Sequence, residues 1–109
     1  MVADGKCKTS VHIRWMIRRD LPEVLAIEDK CFEFPWSEED FCRTLSAKKN
    51  IGMVAEDGNE KVLGFVVYRL DKNRLNILNF AVHPEHQGRR VGKQMIAHLQ
   101  RKLSYQRRN

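Results

Sequence analysis

The apolar run Ile77–Val82 leads within a few residues into Gln87-Gly-Arg-Arg-Val-Gly-Lys93, a segment with two glycines and three basic side chains, and then into an amphipathic stretch ending near Leu103. A strand that becomes a helix through glycine and positive charge constrains the fold more than any other feature of the chain. The first amides of a helix have no internal partners and carry part of its dipole, so a glycine-bearing loop feeding them is suited to an anion. The fold therefore has to bring a strand end, this loop and a helix start together.

Upstream, Val11–Ile17 alternates as a first strand, with Val11, Ile13, Trp15 and Ile17 on one side. Asp20 offers an N-cap and Pro22 sits in the first turn of a helix predicted from about Leu21 to Phe32. Pro35 breaks that helix. Ser37 caps a short second one ending near Ala47, with Glu38, Glu39 and Asp40 at its positive end and Phe41, Cys42 and Leu45 on its buried side. Apolar runs over 51–56 and 62–70 flank Asp57-Gly-Asn-Glu60, a hairpin turn in which the glycine is expected to take the positive backbone angle. Asp71–Arg74 forms another turn, residues 75–82 a fourth strand, and Val91, Met95, Ile96, Leu99 and Leu103 the apolar stripe of a third helix reaching about Tyr105. The order β-α-α-β-β-β-α makes the chain α/β (α+β), with frayed ends expected at Met1 to Lys8 and Gln106 to Asn109.

A length of 109 residues gives room for one domain, read as 1–109, and 42% hydrophobic residues suit an ordinary globular protein. No apolar run approaches the roughly 20 residues of a membrane span, and Met1–Lys6 lacks the pattern of a secretory signal, so a cytoplasmic location without membrane contact is expected. Cys7, Cys31 and Cys42 have no metal or redox spacing; Cys31 and Cys42 read as small hydrophobes in helices, and no metal site is expected. Eight acids and one base fall between Asp20 and Asp40, whereas seven bases and one acid fall between Glu85 and Asn109. This polarity gives an anion-attracting end and a cation-tolerant end. Basic charge without interleaved aromatics or a recognition motif argues against nucleic acid.

Three anions compete for the loop. A Walker loop fails because Gly88-Arg-Arg-Val-Gly92-Lys93-Gln94 is one residue short and lacks the magnesium-binding hydroxyl. A dinucleotide site fails for want of a Gly-x-Gly-x-x-Gly triplet. The pyrophosphate of coenzyme A is the third. Gln87-Gly-Arg-Arg-Val-Gly92, preceded by Val82-His-Pro-Glu85, resembles the acetyl-CoA motif of the GNAT N-acetyltransferase superfamily, Gln/Arg-x-x-Gly-x-Gly/Ala. Ile17-Arg-Arg-Asp20, Ile27-Glu-Asp-Lys-Cys-Phe32, Pro35-Trp-Ser37 and Val62-Leu-Gly-Phe65 are similar to the group that acetylates protein N-termini, in particular the ribosomal-protein alanine N-acetyltransferases.

The resemblance implies a GNAT-like mixed sheet, with acetyl-CoA as co-substrate and a protein or peptide N-terminus as acceptor. It implies that the fourth-strand backbone at Phe80, Ala81 and Val82 pairs with the pantetheine arm, an amide near Val82 facing the thioester carbonyl. The pyrophosphate would rest on Gln87, Gly88, Arg89, Arg90, Val91, Gly92 and Lys93. Arg90 stands where the family pattern has its first glycine; a positive φ there would cost an arginine about 1 kcal/mol. General acid and base are not assigned: Asn76 and Asn79 read as surface or edge residues, Tyr105 as a helix-surface aromatic, and His83 and His86 as turn histidines. Phe32-Glu-Phe-Pro-Trp36 with Glu33, Glu38, Glu39 and Asp40 corresponds to the acceptor region, while Phe34 and Trp36 read equally as core cover. The family continues past this point with a fifth strand, so the chain reads as C-terminally incomplete, with an open sheet edge prone to self-association. A non-catalytic CoA-binding or partner-completed module is the rival reading.

Overall fold

The computed structural model describes residues 9–72 and 74–107, with side chains as far as Leu103. The chain runs β1 (His12–Trp15), a 3-10 turn (Arg18–Asp20), α1 (Leu21–Cys31), α2 (Glu38–Leu45), β2 (Asn50–Glu56), β3 (Val62–Leu70), β4 (Leu75–Val82), a second 3-10 turn (Pro84–His86) and α3 (Val91–Arg107). This is the mixed α/β order read from periodicity. The strands make one sheet, β1-β2-β3-β4, with all neighbours antiparallel.

Each face of the sheet has its own cover. Leu21, Val24 and Ile27 of α1 and Phe41 of α2 pack on Val54, Phe65, Val67 and Ala81, while Val91, Met95 and Leu99 of α3 pack on Met53, Ala55, Leu63, Val66 and Tyr68. Each such fully buried large apolar side chain contributes about 1.5–3 kcal/mol. Gly64 lets α3 close on the sheet: a Cβ there would stand 3.0 Å from the Ala81 carbonyl oxygen and 3.2 Å from Met95 Sδ.

Two slips of register interrupt the alternation. The pairs Ala55↔Gly64 and Glu56↔Val62 leave Leu63 over in β3, and Val67↔Asn79 and Tyr68↔Ile77 leave Leu78 over in β4. An unpaired residue reverses which side chains point to which face. Hence Leu75 lies on the α3 face together with Phe80 and Val82.

Several local expectations change. Ser37 does cap α2, its Oγ accepting the Asp40 N–H at 3.1 Å while Asp40 Oδ2 accepts the Ser37 N–H at 3.0 Å. Asp20, by contrast, makes no side-chain cap of α1. Its buried carboxylate accepts two bonds of 2.9 Å from Arg14 and one of 2.8 Å from the Ile17 N–H. The guanidinium is a stronger claimant than a helix amide, because planar bidentate pairing adds charge to hydrogen bonding. Burial works to raise this carboxyl, and Arg14, the Ile17 amide and Arg19 outweigh it, holding Asp20 below the usual carboxylate range.

Trp15, 69% exposed, and Ile17 are uncovered although they share a side with Ile13, and Cys42 is exposed on α2. In the hairpin turn the positive φ falls on Glu60 (64°) and not on Gly58, because Asp57 Oδ1 gathers the N–H groups of Asn59 and Lys61 and winds the turn one residue further. The expectations for Cys7 and for fraying over 1–8 and 108–109 lie outside the described residues, while Gln106 belongs to α3. Tyr105 also belongs to α3, its side chain outside the described residues.

Candidate acyl-coenzyme site

β4 is an outer strand of the sheet, so half of its backbone groups face away from β3. The His83 N–H still bonds Leu63 O at 2.7 Å, which places odd-numbered residues toward β3 after the bulge and turns the N–H and C=O of Phe80 and Val82 outward. Ala81 directs its backbone to β3. The Val82 carbonyl accepts from Gln87 Nε2 at 3.0 Å and from the Cys31 thiol at 3.3 Å, so the end of β4, the loop and the end of α1 meet at one oxygen.

The loop is fixed from both ends. His83 Nδ1 accepts the Glu85 N–H at 3.1 Å, and the His86 N–H bonds His83 O at 2.8 Å. Arg90 O accepts both the backbone and the side-chain N–H of Gln94, at 3.0 and 3.2 Å, and Gln94 also reaches Val11 N and Thr9 O. Gly88 and Arg90 take positive φ, 84° and 68°. These angles turn the chain tightly enough to aim the start of α3 at the β4 edge. Among the described residues, the N–H groups of Gln87 to Arg90 make no hydrogen bond outside their own turn, and those of Val91 to Lys93 open α3, where the first amides have no partner one turn back.

Those amides border a cavity of about 620 Å³, a volume typical of small-molecule sites. Of the ten sequence-predicted residues, Phe80, Ala81, Val82, Gln87, Gly88, Arg90, Gly92 and Lys93 line it. Arg89 points to solvent, and Val91 is buried in the α3 core cluster. The cavity also takes Cys31, Phe32 and His86, which sequence reasoning did not bring there as lining. The Val82 carbonyl shared by Cys31 and Gln87 draws the end of α1 to this wall, a contact across 51 residues that leaves no local signal.

Charge divides the cavity. Arg90 and Lys93 stand on its loop side, where the first-turn amides of α3 and the helix dipole already favour an anion. Burial, then His83, Arg89 and Lys61, lowers His86 below the ordinary histidine value, so its imidazole is neutral near pH 7. Burial, and next Glu28, raises the Cys31 thiol, which remains a proton donor to Val82 O. The nearby His83, Glu85 and His86 bring ligand atoms within 4.8 Å of one another. With Nδ1 of His83 already engaged and Lys61 and Arg89 acting on His86, this turn is a poor host for a cation.

On the β4 edge, where it was expected, Asn79 is half-buried and held from both sides: Nδ2 donates to Glu28 Oε1 at 2.8 Å, and Oδ1 accepts the Phe80 N–H at 2.8 Å. Glu28, 2% exposed, also accepts the Trp36 N–H at 2.8 Å. Asn76 remains exposed. Trp36 packs edge-on against Phe41, the ring centres 5.0 Å apart, and so belongs to the core cover, whereas Phe34 is 85% exposed beside the cavity wall at Phe32. Arg43 approaches Glu39 at 3.8 Å and Asp40 at 3.2 Å, whereas Glu33 and Glu38, also expected at the acceptor region, make no salt bridge among the described residues.

Residues 21–106 match the family described as Acetyltransferase (GNAT) family. A [ribosomal protein bS18]-alanine N-acetyltransferase of Salmonella typhimurium is 30% identical over 81 residues, which cover 73% of this chain and 53% of that protein. The crystal structure of the ribosomal-protein-S18-alanine N-acetyltransferase from Escherichia coli superimposes with a TM-score of 0.77 at 24% identity, covering 86% of this chain and 59% of that one. A GNAT family N-acetyltransferase from Escherichia coli, solved in complex with CoA, gives 0.68 at 22% identity over 94% of this chain and 60% of that one. The chain spans about half the length of the ribosomal-protein acetyltransferases it matches. No helix among the described residues is long and apolar enough to cross a membrane.

Proposed function

The chain belongs to the acetyltransferase (GNAT) family, and from that premise we propose that it transfers an acetyl group from acetyl-CoA to an amine, the N-terminal α-amine of a protein such as a ribosomal protein. The observation that carries this reading is one cavity in which the glycine-bearing loop and start of α3, two basic side chains and the outward edge of β4 adjoin. Acetyl-CoA supplies the activated thioester. The chain's own residues do the holding: amides from Gln87 to Lys93 receive the pyrophosphate, Arg90 and Lys93 add charge, and β4 offers Phe80 and Val82 as backbone partners for the pantetheine arm. Bound this way, the acyl group lies at the end of the cavity nearest Phe32 and the acidic segment, where an incoming amine meets it without crossing the phosphate site.

The alanine N-terminus is favoured by the 30% identity to the Salmonella enzyme, and the acids Glu33 and Glu38 suit an ammonium or basic peptide. A cytoplasmic site of action accords with such an acceptor. The outer edge of β4 is also a surface for self-association.

Calorimetric titration with acetyl-CoA, with amide exchange followed at Gly88 to Lys93, tests the cofactor. Heat together with slowed exchange is expected; neither would refute the reading. Thiol release with peptides beginning in alanine tests the transfer. Binding without release above buffer would instead make the chain a CoA-binding module.

A further inference from the structure

Glu28 accounts for the orientation of Asn79. A carboxylate only accepts hydrogen bonds, and this one has a single oxygen left after taking the Trp36 N–H. Asn79 must therefore turn its NH2 toward Glu28, which leaves its oxygen on the Phe80 N–H. The flipped amide would set donor against donor at Phe80 and acceptor against acceptor at Glu28. A carboxylate buried this deeply is not free to reorient without losing both bonds.

The amide so occupied sits at a particular place. Followed back from the pyrophosphate loop, the outward N–H groups of β4 are Val82 first and Phe80 second, and Phe80 adjoins the bulge and the Phe32–Trp36 loop. On the acetyl-CoA reading proposed above, on which this inference rests, a pantetheine arm lying along the edge brings its thioester carbonyl to the second of these. We infer that Asn79, aimed by Glu28, is an internal competitor for the amide that receives the thioester carbonyl, and so limits the preference of the site for acetyl-CoA over free CoA. Acetyl-CoA has a carbonyl oxygen that can displace Asn79 Oδ1. CoA, with a thiol at that position, is a weak acceptor and leaves the Asn79 bond in place. Asn79 is a positioning residue, acting on the acyl group only through the Phe80 amide.

The test is the ratio of CoA to acetyl-CoA dissociation constants, measured by calorimetry on the full chain. Asn79→Ala removes the competitor and should raise the ratio about fivefold, the worth of one net hydrogen bond. Glu28→Gln, which lets the Asn79 amide turn over, should move it in the same direction by a smaller factor. Asn76→Ala on the same strand should leave it unchanged. Amide exchange of the wild-type protein supplies a readout that needs neither variant nor ligand: the Phe80 N–H should be protected although it faces outward. Rapid exchange at Phe80 in the wild type, or a ratio within twofold of wild type in a folded Asn79→Ala, would overturn the inference while leaving the acetyl-CoA site standing. Failure of the wild type to bind either compound would overturn both.

Discussion

Replacing Arg90 by glycine should stabilise this protein, although the substitution removes a side chain and adds no contact. Arg90 holds φ at 68°, a region in which an L side chain crowds its own backbone at a cost of about 1–2 kcal/mol. Glycine is free of that cost but gives the unfolded chain more freedom, which returns about 0.4–1 kcal/mol. The net gain is about 0.5–1 kcal/mol, or roughly 2–6 °C in Tm for a domain of this size. The hydrogen bonds made here use the Arg90 carbonyl and survive the change. Urea denaturation with a matched m value, paired with calorimetry, measures the effect. Arg90→Ala is the decisive comparison, because alanine keeps the Cβ and the strain; it should stay within about 0.5 kcal/mol of wild type. Gly88→Ala should show the converse, a loss of about 1 kcal/mol, since open space surrounds that position and only its φ of 84° resists a side chain. If Arg90→Ala stabilised as much as Arg90→Gly, repulsion among Arg89, Arg90 and Lys93 would be the cause, and the dihedral argument would be refuted.

Tyr68 is buried in the α3-side core with no partner for its hydroxyl among the described residues, and burial raises its pKa; Tyr68→Phe should therefore gain about 1 kcal/mol in chemical denaturation, and a loss of that size would reveal a hydrogen bond to the hydroxyl. Because Asp20 is held below its unfolded value, its ion pair with Arg14 contributes fully above about pH 4 and is lost as pH falls through the folded pKa. Asp20→Asn should cost about 2–3 kcal/mol at pH 7 and flatten the stability profile between pH 5 and 2, measured as urea midpoints; an equally steep profile in the variant would count against the assignment. Ser37→Ala should remove about 1 kcal/mol through loss of the α2 cap, read from the same denaturation curves.

Signals confined to one stretch of chain were legible. Apolar periodicity marked every strand and helix, and the Ser37–Asp40 spacing marked its cap. Glycine, basic charge and a helix start together located the loop side of the cavity wall, and the family resemblance its β4 side. What stayed hidden depended on partners far along the chain. Asn79 is an edge residue, as expected, but nothing near it in the chain shows that Glu28, 51 positions earlier, holds it. Asp20 looks like a cap until Arg14 claims its carboxylate. Period also tells which side a residue takes and not whether anything covers that side: Val11 and Ile13 join the α3-side cluster, while Trp15 on the same side is left exposed. The Asp57–Glu60 turn shows a third limit, since the carboxylate of Asp57 rather than glycine's freedom decided where the chain bends left-handed.

The surplus residue in β4 sets a limit on what mutation can do here. Leu75 and Phe80 are five positions apart and still share a face, which an unbroken strand does not permit. Deleting Leu78 would heal the ladder and leave Leu75, Asn76 and Ile77 on the faces they already have, because Ile77↔Tyr68 and Asn79↔Val67 are already consecutive pairs. The strand thus has one residue to spare: losing one at the bulge keeps the hydrophobic phase, whereas gaining one has to be taken up by a further irregularity or turns Leu75 away from the α3 side.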